Sequence, residues 1–113
     1  MVLLLDDDDV FRGALTATLQ DDGYHVYAYA DPTLVPPLDG LPAELVLITD
    51  YRMQGGDGLT FADQFHHARP NARVVLITSY NTPSLDAEVA RRPFMRLLAK
   101  PLEYGALLDL LPA

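Results

Sequence analysis

Three short runs of the chain are wholly aliphatic, and each stops at a polar residue: Val2–Leu5 at Asp6, Leu45–Ile48 at Thr49 and Asp50, and Val74–Ile77 at Thr78. A strand with one wet face alternates apolar and polar side chains, whereas a parallel strand covered by helices on both faces loses that alternation. The runs therefore predict central strands of a parallel sheet. His25–Tyr29 is bulkier and more polar, as suits a strand nearer the sheet edge, and Met95–Ala99 supplies a fifth strand.

Helical patterns lie between these strands. Phe11, Leu15 and Leu19 recur every fourth residue, with Asp9 as a cap and Gly23 as a stop. Phe61, Phe65 and Ala68 mark a helix from about Gly58 to Arg69, ended by Pro70. A helix follows Pro83, with Pro93 beyond its end, and Leu107, Leu110 and Leu111 mark a last one. Between Asp31 and Pro42 the signals conflict: Asp31-Pro32 starts a helix well, but Pro36-Pro37 cuts it to one or two turns. The alternation predicts an α/β fold, an open five-stranded parallel sheet with right-handed crossovers, helices on both faces, and a second helix that is short or broken. Ligands of such sheets bind at the carboxyl ends of the strands. Asp6, Asp7, Asp50, Thr78 and Lys100 all fall at that edge.

The chain has 113 residues, a formal charge of -8, half its residues apolar and no cysteine. That length suits one domain, read as residues 1–113 with no output domain. The acidic balance opposes direct binding to nucleic acid or an anionic membrane. Without cysteine there is neither a disulfide framework nor a thiolate metal site. The N-terminal run is too short for a signal peptide and no segment approaches a membrane span, so a cytoplasmic location is expected.

Asp6 to Asp9 place like charges side by side. Two of them about 4 Å apart repel by about 4 kcal/mol at an effective dielectric near 20. Water, a shared proton or a hard cation must relieve that repulsion. With Asp50 after the third strand, Thr78 after the fourth and Lys100-Pro101 after the fifth, the set becomes ordered, and here the chain resembles the receiver domain of bacterial two-component response regulators. The resemblance rests on Leu3-Leu4-Leu5-Asp6-Asp7-Asp8, Ile48-Thr49-Asp50-Tyr51-Arg52-Met53 with Gly56-Asp57-Gly58, Val75-Leu76-Ile77-Thr78-Ser79 and Ala99-Lys100-Pro101. It spans essentially the whole chain.

The resemblance implies a doubly wound, flavodoxin-like sheet of strand order 2-1-3-4-5. It implies a phosphoacceptor signalling module and not an enzyme, one that assists its own phosphorylation and dephosphorylation. Asp50 would take a phosphoryl group from a histidine kinase's phosphohistidine. The cofactor would be Mg²⁺, held by Asp7, Asp50 and the backbone carbonyl of Arg52, with Asp6 reached through water. Lys100 and the Thr78 hydroxyl would meet phosphoryl oxygens, and a cis peptide would precede Pro101. The helix 4/strand 5/helix 5 face, where helix 4 follows Pro83, would then bind a partner, a second copy or an output domain.

Several positions depart from the family pattern. Gln54 replaces a usual proline, which would loosen the loop after Asp50, and Leu97 replaces a switch aromatic, for which Phe94 and Tyr80 are candidate substitutes. Arg52 and Tyr80 occupy variable positions beside the pocket, and the bulk of Tyr80 would slow attack of water on a phosphoaspartate. Asp8, Asp9 and Asp57 fit caps better than ligands, His25 an edge strand, and His66-His67 solvent exposure. Arg91, Arg92 and Arg96 form either a partner surface or helix-end compensation. Two alternatives remain: a haloacid-dehalogenase-like Mg²⁺-dependent phosphatase using Asp6 and Asp8, and a phosphorylation-independent pseudo-receiver.

Overall fold

The computed structural model describes residues 1–112. Strands β1 (Val2–Leu5), β2 (Val26–Tyr29), β3 (Val46–Asp50), β4 (Val74–Thr78) and β5 (Met95–Ala99) pair in the order β2-β1-β3-β4-β5, all parallel. The helices are α1 (Asp9–Asp21), α2 (Gly58–Ala68), α3 (Pro83–Ala90) and α4 (Tyr104–Leu110). No helix among the described residues is long and apolar enough to cross a membrane.

The packing explains the aliphatic runs. Leu3, Leu5, Leu47, Val74 and Leu76 point to one face of the sheet, where Phe61, Phe65 and Leu85 of α2 and α3 cover them. Val2, Leu4, Val46, Ile48, Val75 and Ile77 point to the other, against Leu15, Leu19 and Leu107 of α1 and α4. Side chains alternate faces at a period of two, so a sheet covered twice needs an apolar residue at every position. Each fully buried aliphatic side chain stabilises the fold by about 2 kcal/mol. β2 is half-buried throughout, as its composition predicts for an edge.

Helix termini follow their caps. Asp8, not Asp9, is the N-cap of α1, accepting from the backbone N–H of Val10 and Phe11 at 3.0 Å each. Gly23 stops that helix with φ +94°, its N–H reaching Gln20 while Tyr24 reaches back to Leu19. Asp57 caps α2 through the Thr60 N–H at 2.7 Å, as expected of a loop aspartate. In the Asp31–Pro42 segment the prolines prevail, leaving two 3₁₀ turns, Pro32–Leu34 and Leu38–Gly40. The Arg69 guanidinium ties this segment down by donating to the carbonyls of Leu41 at 2.9 Å and Pro42 at 2.8 Å.

Three expectations need correction. The segment containing Gln54 is not a loose loop: Arg52–Met53 pairs antiparallel with Gly56–Asp57, and Gln54-Gly55 forms the turn. Gly55 sits at φ +83°, which a side chain would strain. His66 is not solvent-exposed but half-buried, stacked on Phe94 with ring centroids 3.8 Å apart, whereas His67 is exposed. That contact also places Phe94 before the start of β5, at the end of the strand away from Thr78, so it is no substitute for the switch aromatic. Arg92 bridges helices, donating to both carboxylate oxygens of Asp63 on α2 at 2.8 Å and to Glu88 on α3 at 3.1 Å.

Candidate functional site

β1 and β3 are neighbours, paired through Leu5 and Thr49, so their C-terminal ends bring Asp6, Asp7 and Asp50 together. One carboxylate oxygen from each lies within 4.8 Å of the others. β5 delivers Lys100 to the same edge. Its backbone N–H donates to the Thr78 carbonyl at 2.8 Å, and a cis peptide joins it to Pro101.

The environments of the carboxylates differ. Asp6 is buried, at 1% exposure, and both its oxygens are engaged: Oδ1 accepts from the Asp8 N–H at 2.9 Å and Oδ2 from Lys100 Nζ at 2.8 Å. Asp50 is 13% exposed, accepts from the Tyr51 N–H at 2.9 Å and stands 3.6 Å from Lys100 Nζ. Asp7 is exposed and has no hydrogen bond among the described residues. Burial, and then the neighbouring charges of Asp6 and Asp7, push the Asp50 carboxyl above its ordinary pKa, with Lys100 and the Tyr51 N–H opposing. Burial disfavours the charge on Lys100, but its hydrogen bond to Asp6 and the charges of Asp50 and Asp6 outweigh that and raise its pKa. The result is a nucleophile-capable carboxylate beside a cation that stays protonated.

The donor set fits a hard divalent cation. Oxygen ligands of Mg²⁺ sit at about 2.1 Å, so two of them span at most about 4.2 Å across the ion, close to the spacing found. Asp7 and Asp50 have oxygens free for direct ligation. Asp6, occupied by Lys100 and the Asp8 N–H, suits a bridging water.

Thr78 is buried at the end of β4, and its hydroxyl is engaged with the next loop, donating to the Tyr80 carbonyl and accepting from the Tyr80 N–H, both at 3.1 Å. The Tyr80 ring is 76% exposed. Leu97 pairs with Leu76 in the sheet and packs into the core on the α2/α3 face. Arg52 opens the hairpin, its guanidinium 5.6 Å from the Tyr51 ring centroid. Asp8 Oδ1 caps α1, and Asp6, the nucleophile of the phosphatase reading, is buried with both its oxygens engaged, which disfavours that reading.

Sequence reasoning missed three contributors. Phe11 lies 4.4 Å from Lys100 Nζ and covers the ammonium with its ring. Arg12 donates to the Asp6 carbonyl at 2.7 Å and to Asp9 at 2.6 Å, fixing the turn that carries the carboxylates. Gly58 starts α2 where any Cβ would overlap the Asp50 carbonyl oxygen, while its N–H donates to Tyr51 at 2.7 Å. The Asp9 to Arg12 spacing, one helical turn, was the available signal for the second; Gly58 stood within the Gly56-Asp57-Gly58 motif, which marked the residue but not its close approach to Asp50, and nothing local marked Phe11.

The comparisons bear on the fold and the family. The family described as "Response regulator receiver domain" matches residues 2–111. Response regulator protein FleR of Pseudomonas aeruginosa is 33% identical over 109 residues, 96% of this chain and 23% of FleR. The C4-dicarboxylate transport transcriptional regulatory protein DctD of Rhizobium meliloti is 30% identical, over 96% of this chain and 24% of its own length. The chain thus spans about a quarter of those relatives. Among solved structures, the Vibrio cholerae chemotaxis protein CheY4 superposes with a TM-score of 0.83 over 97% of both chains at 24% identity. A Burkholderia pseudomallei response regulator with a phosphorylated aspartic acid and calcium superposes with a TM-score of 0.85 at 24% identity, covering 99% of this chain and 66% of that one. With the family matched over nearly its full length, the chain belongs to the receiver domains of two-component response regulators.

Proposed function

We propose that Asp50 is the phosphoacceptor, taking a phosphoryl group from the phosphohistidine of a histidine kinase. The observation that carries this reading is the position of Lys100, whose ammonium stands between Asp6 and Asp50 at 2.8 and 3.6 Å. An Asp50 oxygen attacks phosphorus while the bond to the imidazole nitrogen breaks. Negative charge on the transferring oxygens then needs fixed positive charge nearby, and a lysine already held at the acceptor supplies it without reorganisation. Bound Mg²⁺ would add a second neutralising charge, held directly by Asp7, Asp50 and the Arg52 carbonyl and through water by Asp6.

Once phosphorylated, Asp50 carries more charge and more acceptors. These compete for Lys100 and for the Thr78 hydroxyl, now bonded to Tyr80. Breaking those bonds shifts the population of arrangements of α3, β5 and α4, the face that an output domain or a partner reads. The transcriptional regulators among the relatives support a regulatory output of this kind, carried by another domain.

Incubation with acetyl phosphate and Mg²⁺ tests the assignment. Intact mass should rise by one phosphoryl group in the wild type and stay unchanged in Asp50→Asn. Persistent labelling of Asp50→Asn would overturn it.

A further inference from the structure

Five arginines fall within Arg69–Arg96 in a chain of formal charge -8, and three of them, Arg73, Arg91 and Arg96, line one cavity of about 590 Å³. His66, Asn71 and Phe94 complete its chemistry, and no carboxylate lines it. The cavity opens where β4 and β5 begin, at the opposite edge of the sheet from Asp50.

The arginines are fixed without being neutralised. Arg73 donates to the Leu110 carbonyl at 2.7 Å, and Arg96 to the carbonyls of Met95 at 3.0 Å and Pro93 at 3.1 Å. A carbonyl bond orients a guanidinium but leaves its full charge, and neither arginine has an acidic partner among the described residues. Arg91 alone shares its charge, with Glu88 at 3.0 Å. The enclosed Nδ1 of His66 has no hydrogen-bond partner. Arg92, by contrast, is saturated by Asp63 and Glu88 and lies outside the lining.

From this we infer that the cavity between the end of α2 and the starts of β4 and β5 binds a small molecule carrying adjacent phosphate groups. The volume lies in the range of small-molecule sites, about 300–1,000 Å³. Guanidinium forks match phosphate oxygens two at a time, and separate arginines in one concavity match the charge of linked phosphates. The overall negative charge does not forbid this, since it is screened beyond about 8 Å in physiological salt. An extended acidic polymer fits worse, because Glu88 and Asp63 stand beside Arg91 and Arg92 next to the cavity.

Titration of the wild-type chain with pyrophosphate and with ATP, followed by backbone amide NMR in chelator without Mg²⁺, tests the inference. Saturable shifts are expected at His66, Asn71, Arg73 and Phe94. Tighter binding of ATP assigns the ligand to nucleoside polyphosphates, and equal or weaker binding assigns it to free polyphosphate. Arg73→Gln/Arg96→Gln should weaken binding by about tenfold or more, as expected for losing charged hydrogen bonds. If that variant does not fold, Arg91→Gln, on an exposed side chain, should still weaken it measurably. Unchanged affinity in the folded variant, shifts confined to other residues, no saturation in the millimolar range, or stronger binding of a polyglutamate peptide would each overturn the proposal.

Discussion

Asp50 holds its charge against its surroundings. Its folded-state pKa lies above that of the unfolded chain, so the folded state binds the proton more readily. Stability from this group is therefore greatest below the unfolded pKa and is lost as pH rises through the raised folded value. In metal-free buffer Asp50→Asn should melt higher than wild type at neutral pH, with the gain shrinking as pH falls into the ordinary carboxylate range; thermal melts across that window check it. Tyr80 presents a different prediction. Its backbone N–H and carbonyl are both bonded to the Thr78 hydroxyl, which fixes the backbone that carries its exposed ring. Tyr80→Ala should speed loss of the phosphoryl group several-fold, and an unchanged rate in phosphate-release assays would remove the ring from the mechanism. Asp6, Asp50 and Thr78 were legible because they follow aliphatic runs, and Asp7 and Lys100 because of their neighbours, Asp6 and Pro101. Phe11 was not, because its i, i+4 spacing to Leu15 reads equally as core, and only the fold shows Lys100 meeting its ring.

At the scale of elements, the site depends on how closely α2 meets β3. Gly58 lets the helix begin against the Asp50 carbonyl, and a methyl group there must push strand and helix apart. Gly58→Ala should cost at least the ~1–3 kcal/mol typical of overpacking and slow phosphorylation of Asp50 together, measurable by denaturant melts and by acetyl phosphate labelling. All five strands could be placed from sequence, four of them to within one residue and the third, Val46–Asp50, two residues short at its polar end, because a twice-covered sheet makes its central strands uniformly aliphatic until they reach the site. The hairpin after Asp50 could not. Two-residue strands carry no periodicity, and its pairing depends on Gly55 and Gly56 adopting positive φ, which a sequence permits without announcing. The broken segment after Asp31 was visible in its prolines, but Arg69, which holds it, is a helix-end residue whose partners lie 27 and 28 positions away.

For the whole molecule, cation binding and folding are linked. Any ion that needs Asp6, Asp7 and Asp50 assembled binds the folded chain and not the unfolded one, stabilising it by about 2.7 kcal/mol at a hundred times its dissociation constant. Mg²⁺ should raise the melting temperature of the wild type, and Asp7→Asn should lose most of that rise while melting normally without metal. Na⁺ at equal ionic strength is the control. The arrangement at the strand ends also sets a charge rule. Three carboxylates and one permanently protonated lysine sum to minus two, so one divalent ion brings the cluster to neutrality, whereas a monovalent ion leaves it short and a trivalent one overshoots. The lysine thus acts as a resident counterion that lowers the charge the cluster draws from a cation, and Lys100→Met should raise its affinity for trivalent lanthanides relative to divalent ions, as read by competition titration.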